Sequence, residues 1–282
     1  MPSATEDSMT CPILLTKHHG LGNDFLIAIE PARPLGPDDA VAWCDRREGI
    51  GADGLIQAVP SGQPGRWRMT LWNSDGGRAE ISGNGLRCLA QALAAHSDHD
   101  RSTDLALVID TDAGTRNAVV LARSSEDAAG ADRVTVGMGK AVEGPAPSDR
   151  WAELGVTVTN QLGVDVGNPH LVGFVDDLDG YDMATIGPVI EADHPGGLNV
   201  HLVTVASRNR LEMIIWERGA GVTMACGSGA CAAAWTAVRA GLVDPDGVEV
   251  VMPGGAARVT VTDDEVVLTG PAVRIGDVRL DG

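Results

Sequence analysis

The chain has 282 residues, of which 44% are apolar and only 3% aromatic, and it carries a formal net charge of −18. That length suits two domains of about 100–150 residues, with cores built from Val, Leu, Ile and Ala. The acidity excludes a phosphate-tracking nucleic-acid surface, and no run of about 20 apolar residues is present to span a membrane.

MPSATEDSMT lacks the basic and apolar regions of a signal peptide and reads as a disordered tail, with Met9 as an alternative start. Residues 12–30 hold two strands, ILL and FLIAI, around the turn-rich HHGLGND, which places His18 and His19 in a loop. PARPLGPDD is a Pro-rich loop whose Asp38 and Asp39 are placed to cap a short helix, AVAWCDRR. GIGADGLIQAV enters a strand, SGQPGR turns, and RMTLW returns. The segment TLWNSDGGRAEISGNGLRCLAQALA then reads as strand, polar turn and helix, the helix running to about Ala95. LALVID, RNAVVLAR and DRVTVGMG alternate as strands, and EDAAGAD between the last two marks a possible domain boundary.

The same order recurs. VTVTNQLGVDVGNPHLVGFV gives two strands around Asn168, Pro169 and His170, DDLDGYDMATIGPVIE a loop and short helix, and LNVHLVTVA and LEMIIWE two more strands. A helix headed by ACGSG follows, then a meander of DGVEVVMPGG, AARVTVT and EVVLTG, and a last strand, PAVRIGDVRL, that returns to the first domain. Trp72 and Trp216 stand 144 positions apart, as do Ser82 and Cys226, and Gly83, Asn84 and Gly85 align with Gly227, Ser228 and Gly229. GNDFLIAI aligns with GNPHLVGF, and GADGLIQA more loosely with GGLNVHLV, both at an offset of 145. Three blocks in one order indicate a duplicated domain, hence an α+β fold of two pseudo-symmetric halves. We place the N-terminal half at 1–126 plus 272–282 and the C-terminal half at 127–271.

Each copy sets a small nucleophilic side chain before Gly-X-Gly at a helix start. Unpaired N–H groups and the positive end of the helix dipole make that an anion seat, and the glycines permit close approach. A thiol there is expected to have a lowered pKa. Two such helices facing each other would cradle one carboxylate and flank its α-carbon with acid/base groups. The bland alternative is that each motif is only a cap; the duplication weighs against it.

The five cysteines are odd in number and show no framework spacing, and neither C-x-x-C nor H-E-x-x-H occurs. No metal is therefore expected, and free thiols fit a reducing cytoplasm. Cys11, Cys44, Cys88 and Cys231 read as core residues.

The segments HGLGNDF, CDRREGIGADGL, NSDGGRAEISGNGLR, VDVGNPH, LNV and ERGAGVTMACGSGACA resemble the diaminopimelate epimerase family in order and spacing over roughly residues 15–275. The resemblance implies two halves that each wrap a mixed or antiparallel sheet around a central helix, with the site in the cleft between them. It also implies a cofactor-independent two-base epimerase of LL- and meso-diaminopimelate in lysine and peptidoglycan synthesis, acting as a cytoplasmic homodimer on a small-molecule amino acid. Carried over by residue, Cys226 matches a catalytic cysteine, and the N–H groups of Gly83, Asn84, Gly227 and Ser228 would hold the reacting carboxylate. Asn23, Asn73, Asn168 and Asn199 match substrate-binding asparagines, and Arg218 and Glu217 would receive the distal carboxylate and ammonium. His170 and Glu217 would tune the acid/base groups.

One position departs from the family pattern: Ser82 stands where the other catalytic cysteine is expected, and a hydroxyl is a far poorer base than a thiol. Gly54 stands where some members carry Gln. The departure leaves open a slowed epimerase, a divergent Ser/Cys epimerase or dehydratase acting on another amino acid, and a catalytically weakened binding module. A cysteine hydrolase using Cys226 and His170 is a further alternative, against which the duplication argues, since a hydrolase needs one nucleophile and one oxyanion hole.

Overall fold

The computed structural model describes residues 12–124 and 130–281. The expected tail, Met9, Cys11 and most of EDAAGAD lie outside them. The first half contains β1 (Ile13–Gly20), β2 (Asn23–Ile29), α1 (Pro37–Cys44), β3 (Gly54–Pro60), β4 (Arg66–Asn73), α2 (Gly83–His96), β5 (Leu105–Thr111), β6 (Gly114–Val120) and β7 (Ala131–Gly137). There follow β8 (Val142–Glu143), β9 (Asn160–Asp165), β10 (Pro169–Phe174), α3 (Met183–Ala192), β11 (Asn199–Ser207), β12 (Arg210–Glu217), β13 (Gly221–Val222), α4 (Gly227–Arg239), β14 (Val248–Met252), β15 (Gly255–Val261) and β16 (Val266–Leu280).

The pairing reproduces the repeat. In the first half β1–β2 is antiparallel, β2–β3 parallel, β3–β4 antiparallel, β4–β5 parallel, and β5–β6 and β6–β7 antiparallel. The run from β9 through β12, β14 and β15 to β16 repeats those directions in the same order. Each parallel step requires a crossover, and these are the four helices: α1 and α3 outside, α2 and α4 inside the curved sheets. A helix enclosed by strands must be apolar nearly all round, as α2 and α4 are, with every residue from Gly83 to Ala94 and from Gly227 to Ala237 buried.

One strand ties the halves together. The end of β16 pairs with β1 from Val273 to Leu280, its middle with β7 from Val267 to Val273, and its start with β15. The strands expected as EVVLTG and PAVRIGDVRL are thus one strand running through Gly270–Pro271. Pro271 has no N–H to donate, but the carbonyl of its β7 partner Arg133 already accepts from the Leu121 N–H at 2.9 Å, so no β7 acceptor is left waiting for it. β7 lies past the expected boundary at residue 127, and its hydrogen bonds run to β6 and β16.

Two local expectations change. His18 is in β1, not a loop; strand alternation turns it into the barrel, where Nδ1 meets Gln91 Oε1 at 2.9 Å, and His19 lies in the same strand. α1 begins at Pro37 with Gly36 as its N-cap, and Asp39, three residues in, accepts from the Gly36 N–H at 2.9 Å. Proline suits that first position because its missing N–H has no helical partner there.

Candidate active site

Ser82 and Cys226 are the N-cap residues of α2 and α4, both in extended backbone (φ −140°, ψ 119° and φ −125°, ψ 110°). Ser82 Oγ accepts from the Gly85 N–H at 3.0 Å, and Cys226 Sγ from the Gly229 N–H at 3.3 Å. Each cap uses the third N–H of its helix and leaves those of Gly83 and Asn84, and of Gly227 and Ser228, without a partner inside the helix. The two helix starts touch: a β-carbon on Gly227 would stand 3.0 Å from the Gly83 Cα and 3.1 Å from the Asn84 nitrogen. Only glycine permits that approach, which brings two positive helix ends to one point.

Around that point lies a cleft of about 410 Å³ between the halves. Asn23, Asn73, Ser82, Gly83, Asn84, Asn168, Asn199, Glu217, Arg218, Cys226, Gly227 and Ser228 all line it, so the structure brings together every expected site residue except His170. His170 sits one layer behind. Its Nε2 meets Asn168 Oδ1 at 2.9 Å and its Nδ1 meets His201 Nε2 at 2.9 Å, both rings being fully buried.

The asparagines differ in what their side chains are free to do. Asn84 Nδ2 donates to Asn23 Oδ1 and to the Ala225 carbonyl, both at 3.0 Å, which joins the halves beside Cys226. Its own Oδ1 accepts from Arg87 at 2.7 Å. Asn23 then donates to Asp53 at 2.9 Å. Asn199 donates to the Pro169 carbonyl and accepts from the Arg218 N–H, so its amide fixes the strand ends that carry the site. Arg218 itself donates to the Gly196 carbonyl at 3.2 Å and pairs with Glu80 across the cleft at 3.3 Å.

The electrostatics correct one expectation. The Cys226 thiol is pushed well above its ordinary pKa, first by burial and then by the Glu217 carboxylate facing it; the N–H of Gly229 and the hydroxyl of Ser228 oppose this only weakly. Burial and the facing carboxylate outweigh these bonds, so Cys226 is held as a thiol. Glu217 is itself raised by burial, with Thr223 Oγ1 donating to it at 2.5 Å. Burial lowers both imidazoles, His170 far below its ordinary value and His201 to about 3, so both are neutral. Burial also brings Arg87 down to about 10.

Among the described residues, His170, His201 and Cys226 are the ones that could together hold a soft metal ion, with ligand atoms within 4.8 Å of one another. The facing ring nitrogens are already engaged with each other.

The diaminopimelate epimerase profile matches residues 15–143 and 163–275. The chain belongs to the diaminopimelate epimerase family. It is 37% identical to the diaminopimelate epimerase of Magnetococcus marinus, over 92% of this chain and 94% of that one. Its identity to the Synechocystis enzyme of the same name is 38%, over 92% and 96%. Membership in the diaminopimelate epimerase family makes the protein an isomerase. Two solved structures share the fold at low identity. One is a predicted epimerase from Pseudomonas aeruginosa, with TM-score 0.75, 18% identity and coverage of 95% of this chain and 99% of that one. The other is a hydroxyproline epimerase from Agrobacterium vitis, with TM-score 0.71, 17% identity and coverage of 96% and 93%.

Four residues in or behind this epimerase-family cleft are not among the expected site residues: Asp53, Glu80, Thr223 and His201, of which only His201 falls outside the family-like segments. The first three line the cleft wall, and pairing places each against an expected residue. His201 sits in an ordinary apolar strand, HLVTV. Its only clue is its register, since Val172 on β10 is its partner and His170 lies two residues away on the same face.

Proposed function

We propose that the protein is a cofactor-independent epimerase that interconverts LL- and meso-diaminopimelate by moving the α-proton from one face of the α-carbon to the other. The observation that carries this reading is the meeting of two helix N-termini at Gly83 and Gly227, flanked by Ser82 and Cys226. A substrate carboxylate seated on the N–H groups of Gly83, Asn84, Gly227 and Ser228 acidifies the neighbouring C–H. The charge that develops as the proton leaves spreads into that carboxylate, where the two dipoles stabilise it.

On one face, the thiol proton of Cys226 passes to Glu217 and the thiolate takes the α-proton. On the other, the Ser82 hydroxyl delivers a proton and recovers one from solvent. Arg218 pairs with the distal carboxylate as a planar fork, with its backbone held by Asn199. Asn73 and Glu217 face the distal ammonium, and Asn23 and Asn168 border the reacting end, with His170 behind Asn168.

The physiological setting we propose is lysine and peptidoglycan synthesis in the cytoplasm, as a homodimer. The four described cysteines are free thiols, and no helix among the described residues is long and apolar enough to cross a membrane. Leu14 on β1 and Ile275 on β16, 65% and 56% exposed, are apolar side chains open to a second copy.

The test is incubation of the purified protein with each isomer separately, without added cofactor, followed by chiral separation. Appearance of the other isomer supports the reading. Absence of both conversion and solvent hydrogen exchange sinks it. Ser82 favours one other reading, β-elimination, in which Cys226 takes the α-proton while the Ser82 hydroxyl protonates a departing β-hydroxyl. Ammonia and a 2-oxo acid formed from a β-hydroxy amino acid would identify it.

A further inference from the structure

The two halves place different residues behind equivalent cleft positions. On β10 and β11, His170 pairs in register with Asn199; on β2 and β3, Phe25 pairs with Gly54, each 145 positions earlier. His201 corresponds in the same way to Ile56, and the packing agrees. A β-carbon on Gly229 would meet the His201 ring at 2.5 Å, and one on the equivalent Gly85 would meet Ile56 Cδ1 at 3.2 Å. Both side chains therefore prop the first turn of an internal helix, one with an imidazole and the other with a hydrocarbon.

The equivalent asparagines are held differently as a result. Asn23 has its Oδ1 fixed by Asn84 and its amide nitrogen committed to Asp53. Asn168 has its Oδ1 fixed by His170 Nε2. An amide oxygen only accepts, so His170 carries its proton on Nε2 and its Nδ1 is bare. That bare nitrogen accepts from His201 Nε2–H. His201 Nδ1 is then unprotonated, and it is a buried ring nitrogen with no hydrogen-bond partner among the described residues. The chain of bonds has one direction, from His201 through His170 to the Asn168 oxygen, and it turns the Asn168 NH2 away from His170, on a residue that lines the cleft.

We propose that His201 is a positioning residue for the reaction. By donating to His170 it selects the imidazole tautomer that holds the Asn168 oxygen, so that Asn168 presents a donor to the substrate carboxylate. With the other His170 tautomer the amide would flip and present an oxygen to that anion. This inference rests on the proposed epimerase reading for its kinetic arm only.

The experiment uses His201→Ile, which copies Ile56, and His201→Gln, which retains an N–H donor. The expected fall in kcat/KM for His201→Ile is about 10- to 100-fold, the size of one hydrogen bond to a charged group, with His201→Gln recovering most of it. Because both act through one amide, His201→Ile should cost little more in an Asn168→Ala background. Nitrogen NMR of labelled imidazoles supplies a readout that packing alone would not move: wild-type His170 should be the Nε2–H tautomer, and His201→Ile should give a mixture. An Nδ1–H tautomer in the wild type overturns the proposal, as does unchanged kcat/KM in a folded His201→Ile or strict additivity with Asn168→Ala. Should His201→Ile not fold, the wild-type spectrum and His201→Gln still decide. Inactivity of the wild type toward diaminopimelate would defeat the epimerase reading, and the tautomer result would stand apart from it.

Discussion

Ser82 and Cys226 occupy the same place in two copies of one structure, each capping an internal helix by accepting from the N–H three residues on, at 3.0 and 3.3 Å. The shared geometry isolates the chemical difference between oxygen and sulfur. Cys226 has Glu217 beside it to take a proton, whereas Asn73 stands at the equivalent position near Ser82. In deuterated water we expect one isomer of diaminopimelate, the one whose α-proton faces Cys226, to exchange at least about tenfold faster than the other, since a hydroxyl is a much weaker base than a thiol. Equal rapid exchange from both would show that Ser82 is an adequate base. Ser82→Cys should raise the rate of inversion in both directions, read by chiral separation.

The glycine contact predicts a second result. Gly227→Ala places a methyl group 3.0 Å from the Gly83 Cα and 3.0 Å from Leu268 Cδ2. Leu268 can shift; the facing backbone cannot without parting the helix ends. We expect a stability loss of about 1–3 kcal/mol in denaturant titrations. Activity should fall further than that loss explains, because the seat for the carboxylate widens.

On the proposed reading, Glu80 competes with substrate for Arg218. Their contact is long, at 3.3 Å, and half of the Glu80 side chain is exposed. Glu80→Gln should lower KM a few-fold with kcat little changed, and the gain should shrink in high salt. Arg218→Lys should raise KM by about tenfold or more, because an ammonium cannot reproduce the planar fork. A KM that does not respond to Arg218→Lys would remove the residue from the distal site.

Stability should fall on the alkaline side. Burial raises Cys44, Cys88 and Cys231 to about 12, so in the folded protein they stay protonated where the unfolded chain, near 8.5, releases its protons. The contribution is complete below pH 8.5 and is lost as pH rises toward 12, at about 1.4 kcal/mol per pH unit for each thiol. Cys88→Ala should flatten that slope in urea titrations between pH 8 and 10.5. On the acid side the sign reverses for His201: its folded pKa of about 3 lies below the unfolded 6.5, so stability is present above pH 6.5 and declines as pH falls toward 3.

Much of this was legible in the sequence because the duplication supplies its own control. Ser82 and Cys226 could be aligned by counting, and the caps they form follow from local chemistry alone. The succession of most strands along each half could likewise be anticipated from alternating patterns, though not their pairing in the sheet. What escaped depends on distance through space. The depth of Cys226 and the carboxylate facing it raise its pKa, and neither can be read from the helix start that suggested the opposite. His201 looks like a strand residue until β10 is laid beside β11. Gly270–Pro271 reads as a break, and only the pairing with β7 shows that one strand runs through it.

The place of β16 has a consequence for how the protein is made. A ribosome delivers β1 well before β16, yet among the described residues the β1 edge and the β7 edge are joined only through β16 residues 267–280. Until those residues emerge, the first barrel has an open seam, with two unpaired strand edges and an exposed internal helix. The N-terminal half therefore cannot finish folding ahead of the C-terminal half during synthesis, and the cleft assembles only once β16 has emerged.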